Sequence, residues 1–125
     1  MVAWGREQGL DVHLIEGGVL PFDSGRFDAA LMDNVLEHIE SPASVLAEIR
    51  RVLKPSGTLL VGVPGRKGFS ADPDHKVYYD RESLCACLAG QGFSAQRTFH
   101  MPLALPWLDE RLSQFCLYGV FRLNA

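Results

Sequence analysis

The chain has 125 residues, 47% of them apolar and 22% charged, with a net charge of -3. That is enough for one hydrophobic core and one domain over residues 1–125, and too ordered a composition for a disordered chain. The acidic balance and the lack of any Lys/Arg run argue against nucleic acid or an anionic lipid surface as partner, and no 18-residue apolar run marks a membrane span.

Met1 to Gly9 reads as the end of a helix stopped by Gly9, and Val12 to Ile15 as a short apolar strand. Phe27 to Met32 is nearly continuously apolar, the pattern of a strand buried on both sheet faces. Ser41 suits an N-cap and Pro42 the first helical position. Val45, Leu46, Ile49 and Leu53 then share one face, while Glu48, Arg51 and Lys54 point away. Lys54-Pro55-Ser56-Gly57 predicts a type I turn, because Ser56 tolerates positive φ poorly.

Thr58 to Val63 is the next apolar strand. Strand, helix and strand in close succession predict a parallel crossover pair. Pro64 to Tyr79 is rich in Gly, Pro, Asp and Lys without periodicity and predicts a long surface loop. Asp80 caps a helix whose buried stripe is Leu84, Cys87 and Leu88, stopped by Gly92. Ser94 to Phe99 is a further strand candidate. Pro102 to Trp107 and a short helical stretch precede Phe115 to Leu123, which alternates with a period of two and predicts a closing, antiparallel strand. Three cysteines, Cys85, Cys87 and Cys116, form neither a disulfide framework nor a zinc pattern, which makes a reducing cytoplasm the expected compartment.

The series Leu20-Pro21-Phe22, Phe27-Asp28, Val35-Leu36-Glu37-His38-Ile39, Arg51-Val52-Leu53-Lys54-Pro55 and Gly57 to Pro64 resembles the middle and later part of a class I S-adenosylmethionine (SAM) dependent methyltransferase of the type 11 group. The resemblance implies an α/β fold: a partial Rossmann-like sheet, mostly parallel with an antiparallel C-terminal strand, and helices on both faces. It implies SAM as cofactor and a small-molecule methyl acceptor. The glycine-rich loop that holds SAM in that family precedes the region that matches, and no Gly-x-Gly-x-x-Gly stands before a helix here. A second reading is therefore a non-catalytic methyltransferase-like module acting in oligomerisation or partner binding.

In open α/β sheets ligands bind beyond the carboxyl ends of the strands. By resemblance, Glu16 and Gly17 fall where the family contacts adenine, and Asp33 and Asn34 where it faces the methionine part of SAM. Without the resemblance, Glu16 is a solvated strand end, Gly17 part of a turn, and Asp33 a turn cap. His38 stands where the family has a histidine close to the methyl-transfer chamber. An imidazole there is either a catalytic base for the acceptor or a packed, hydrogen-bonded side chain. Asp72, Asp74 and His75 bunch together in the long loop, and ordinary loop chemistry accounts for them, so no metal is assigned. His75 to Tyr79 matches a segment that lines the substrate side in some members. Cys85 and Cys87 face different directions on their helix and read as structural. Met101 to Trp107 is apolar enough for a lid or for a packed crossover.

The family sheet runs 3-2-1-4-5-7-6. Without strands 1 and 2, Val12 to Ile15 lies across a gap and Phe27 to Met32 becomes an edge. Three arrangements close it: Val12 to Ile15 moves in, two copies pair across the edge as a homodimer, or a partner chain supplies the strands. Pairing between copies is the favoured expectation.

Overall fold

The computed structural model describes residues 1–105, 107 and 110–125. The elements run α1 (Val2–Glu7), β1 (Phe27–Asp33), a single 3₁₀ turn (Leu36–His38), α2 (Ala43–Val52), β2 (Leu53–Pro64), α3 (Arg66–Ala71), α4 (Arg81–Gly90), β3 (Phe93–Met101) and β4 (Cys116–Leu123). They build one four-stranded sheet in the order β1-β2-β4-β3. β1 and β2 are parallel, whereas β4 runs antiparallel to both of its neighbours. This is the 4-5-7-6 half of the expected sheet.

The core lies on one face. Leu59, Val61 and Val63 of β2 and Leu117, Phe121 and Leu123 of β4 are buried together with Leu46 of α2 and Leu84 and Leu88 of α4. α2 and α4 thus cover the same side, because their apolar stripes meet one alternating set of strand residues. Across the other side the register aligns Leu31, Leu60 and Val120. Leu60 and Val120 are only half-buried there, and Leu31 is 61% exposed. The expectation that Phe27 to Met32 is buried on both faces is corrected accordingly: β1 is an edge strand, and of its residues only Met32 is buried. Leu31 has no neighbouring strand beyond it to carry covering side chains.

Val12 to Ile15 is not a strand. These residues have no regular secondary structure, and the bridge beside them joins Glu16 to Val19. A short apolar segment becomes a strand only when its backbone groups meet a sheet edge, and this one does not pair with the edge of β1. The Lys54 to Gly57 turn also differs from the expectation: Ser56 has φ 61°, the left-handed value of a type II turn. The register explains why. Phe27 pairs with Leu53 and Ala29 with Thr58, so the four residues bulge out of β2 and the chain must reverse tightly to rejoin the ladder. Gly57 is obligatory there, since a Cβ would sit 2.9 Å from the Lys54 carbonyl oxygen.

α2 begins one residue late. Pro42 occupies its N-cap, and no side chain caps the helix, Ser41 included. Glu48 and Arg51 do not simply point away either. Arg51 donates to the carbonyls of Leu20 (3.0 Å) and Phe22 (2.8 Å), and Glu48 accepts from the Leu20 amide (2.9 Å) and from Arg51. This pair fastens the Leu-Pro-Phe segment to α2. Arg51 and Leu20 together hold the Glu48 carboxyl far below its ordinary 4.5, at about 2.

The long loop contains α3, a helix of six residues. Asp80 caps α4 as expected: its carboxylate accepts from the Ser83 amide (2.8 Å), and Ser83 Oγ accepts from the Asp80 amide (3.0 Å). Gly92, at φ 87°, ends the following turn. The apolar stretch from Met101 to Trp107 and the helical stretch after it fall partly outside the described residues. Leu103, Leu105 and Trp107 within them are exposed. Among the described residues, no helix is long and apolar enough to cross a membrane.

Candidate functional site

The carboxyl ends of β1 and β2 bring two different acidic groups to one edge of the sheet. The first is Asp33, the last residue of β1, exposed to solvent. Its Oδ1 accepts from the Tyr118 hydroxyl (2.9 Å) and from Asn34 Nδ2 (3.2 Å). Tyr118 reaches it by lying across Gly62. A Cβ at Gly62 would overlap the Tyr118 ring and stand 2.6 Å from Asp33 Oδ1, so glycine keeps this corner open. Phe99 of β3 stacks on the same ring at 5.6 Å. Partial burial, followed by the Asp33 carboxylate, pushes the Tyr118 phenol up to about 12, so it remains a donor at neutral pH. Asn34 turns the chain away from the strand with φ 52° and donates its amide to the Gly62 carbonyl at 3.0 Å.

The second group is Glu37, in the 3₁₀ turn. Its side chain is fully buried, and among the described residues neither carboxylate oxygen has a hydrogen-bond partner. Burial raises its pKa above the usual carboxylate range, against the opposing pull of His38 and His75. His38 Nε2 lies 3.9 Å and His75 Nε2 3.8 Å from Glu37 Oε1. The two rings meet edge to face at 4.8 Å, and Phe69 stacks on His75. The backbone of the loop holds this group together: the amides of Lys76 and Val77 both donate to the Glu37 carbonyl, at 2.7 and 3.0 Å.

Of the residues expected at a site, the fold brings Asp33, Asn34 and His38 to the strand ends. Glu16 and Gly17 belong to the segment before β1. They lie in a tight exposed turn with Gly17 and Gly18 at positive φ, and share no hydrogen bond or ion pair with Asp33 or Asn34. Sequence reading missed two participants. Tyr118 belongs to a strand read only for its alternation, and Glu37 to a segment in which His38 drew the attention. The local signal was Gly62, a glycine inside a strand, which marks a close approach. Two concave surfaces lie elsewhere: an apolar groove of about 220 Å³ lined by Leu20, Phe22, Phe27 and Ile49 opens beside the first half of β1, and another borders Arg81, Glu82 and Cys85.

Comparisons with known proteins bear on this arrangement. Residues 1–61 match the sequence model of a family described as a methyltransferase domain. Over 50 residues the chain is 40% identical to the ubiquinone/menaquinone biosynthesis C-methyltransferase of Desulfotalea psychrophila, covering 40% of this chain and 20% of that enzyme. The chain spans a fifth to about a third of the length of the curated relatives it matches. The fold is similar to that of 1,6-didemethyltoxoflavin-N1-methyltransferase from Burkholderia thailandensis, determined with bound S-adenosylhomocysteine. The TM-score is 0.63 and the identity 21%, over 83% of this chain and 47% of that one. It is also similar to a structure described as a complex between the Haloferax volcanii Trm112 methyltransferase activator and the putative methyltransferase. There the TM-score is 0.73 and the identity 17%, over 100% of this chain and 68% of the other.

Proposed function

We propose that the chain contributes to SAM-dependent methyl transfer to a small-molecule acceptor, because residues 1–61 match the methyltransferase domain model and the fold is similar to that of class I SAM-dependent enzymes. The observation that supports this reading is the Asp33 corner: an exposed carboxylate at the carboxyl end of a parallel strand, oriented by Tyr118 and Asn34.

SAM carries an ammonium and a sulfonium, and an oriented carboxylate attracts both. Asp33 and Asn34 fit the charged end of the donor. When bound, SAM supplies a methyl group already activated by its positive sulfur. The protein's share is to hold the acceptor in line with it. In this reading His38, 38% exposed at its side chain, takes a proton from the acceptor. Glu16 and Gly17 fall to the adenine end of the donor in this reading. The three unbridged cysteines fit a cytoplasmic setting.

The bare edge of β1 supports one addition, a second copy pairing along it as a homodimer, which a sedimentation or light-scattering mass of one chain would refute. The second reading is a non-catalytic module acting in oligomerisation or partner binding. Titration with SAM decides between the two. Binding raises the melting temperature in proportion to the logarithm of SAM concentration, and Asp33→Ala reduces the rise. No shift at about 1 mM SAM supports the module.

A further inference from the structure

Glu37 and His75, which the proposed methyl transfer does not use, close around His38, and an ion held there would take the place of that residue's role as base. His38 Nδ1 faces the Asp74 carbonyl oxygen at 3.2 Å, and His75 Nδ1 faces the Phe69 carbonyl oxygen at 2.9 Å. A carbonyl only accepts, so in each neutral ring Nδ1 carries the proton and Nε2 is left as a lone pair. Both Nε2 atoms are directed at Glu37 Oε1, a buried carboxylate oxygen that itself has no donor. In that state three acceptors converge. At 3.8 and 3.9 Å the atoms are too far apart for direct hydrogen bonds to settle the conflict. A cation shared among them would.

We infer that Glu37, His38 and His75 form a binding site for a first-row divalent transition ion of the Zn²⁺ type. One ligand atom from each lies within 4.8 Å of the others, and bond lengths of about 2.0–2.2 Å draw such atoms inward by only a fraction of an ångström. Nδ1 donation to a backbone carbonyl is the second-shell arrangement that fixes metal-bound histidines. Two imidazoles and one carboxylate suit Zn²⁺ or Co²⁺, whereas Mg²⁺ and Ca²⁺ prefer all-oxygen shells. Asp72 offers a further oxygen, its Oδ2 standing 3.6 Å from His75 Nε2 while Oδ1 is occupied by the Asp74 amide. The site is prepared by backbone bonds, since Lys76 and Val77 clamp the loop to the Glu37 carbonyl whether or not an ion is present.

This assignment stands whether or not the chain transfers methyl groups. Its test is binding of the ion alone. The full chain, stripped with chelator, is titrated with Co²⁺ and followed by visible absorption, then back-titrated with Zn²⁺. One Co²⁺ per chain is expected, displaced by Zn²⁺, with Mg²⁺ ineffective. His38→Ala, at a partly exposed position that leaves the core intact, weakens binding about tenfold or more, and His75→Ala does the same. Zn²⁺ raises the melting temperature of the parent chain and not of His38→Ala, and circular dichroism confirms that the variant folds. Absence of a saturable spectrum overturns the assignment. So does equal affinity in His38→Ala, or thiolate charge-transfer bands showing that a cysteine holds the ion.

Discussion

Asp33 and Glu37 are four residues apart, carry the same functional group and stand at the same end of the sheet, yet their surroundings are opposite. Asp33 is exposed, with two side-chain donors on one oxygen; Glu37 is buried, with none. A carboxylate that is solvated and oriented is ready for a mobile organic cation arriving from solvent. One that is buried without a hydrogen-bond donor is costly to the fold until a proton or an ion joins it. The difference comes from the backbone. β1 ends at Asp33 in solvent, whereas the 3₁₀ turn directs Glu37 inward beneath the loop that follows α3.

The largest expected effects come from exchanging the two environments. Glu37→Leu in the presence of chelator stabilises the chain by about 1–3 kcal/mol in urea unfolding, because it removes an unsatisfied buried charge. Asp33→Leu has the opposite sign, since it strands the Tyr118 hydroxyl. Stabilisation in both variants, or in neither, breaks the contrast. Gly62→Ala drives a methyl group into the Tyr118 ring and destabilises by about 1–3 kcal/mol, with a loss of any SAM-dependent rise in melting temperature and no change in Co²⁺ affinity. Loss of both responses would show that the two sites are not separate.

Tyr118→Phe is milder. It costs about 1 kcal/mol, read as a shift in the urea midpoint, because one hydrogen bond to an exposed carboxylate is removed. Away from both carboxylates, Ser56→Gly relieves the positive φ in the β2 bulge and stabilises by up to about 1 kcal/mol.

The smallest effect is a pH dependence at Glu48. Its folded pKa of about 2 lies below the ordinary 4.5, so its contribution is complete above pH 4.5 and is lost as pH falls towards 2. Glu48→Gln flattens the stability profile in that window. An unchanged profile would show that the clasp on Leu20 is not what holds the carboxyl down.

Several parts of this architecture were legible in the residues alone. Alternation in Phe115 to Leu123 predicted an antiparallel strand, and Asp80 before an apolar helical stripe predicted a cap. Such signals are local, with period and capping chemistry repeated within a few residues. The errors arose where a partner decides. Val12 to Ile15 does not pair with the open edge of β1, and Ser56 took a conformation imposed by the register of β1 against β2.

By itself, then, the sequence determined the α/β class, the parallel pair of β1 and β2, and the placement of Asp33, Asn34 and His38 at the strand ends, since hydrophobic period and strand-terminal position are properties of the chain. The tertiary structure alone decided that Tyr118 crosses Gly62 to reach Asp33, and that His75 folds back on Glu37 from 38 residues away. Those contacts join distant segments whose meeting is set by sheet register and by the two backbone bonds to the Glu37 carbonyl. No local pattern encodes a distance of that kind.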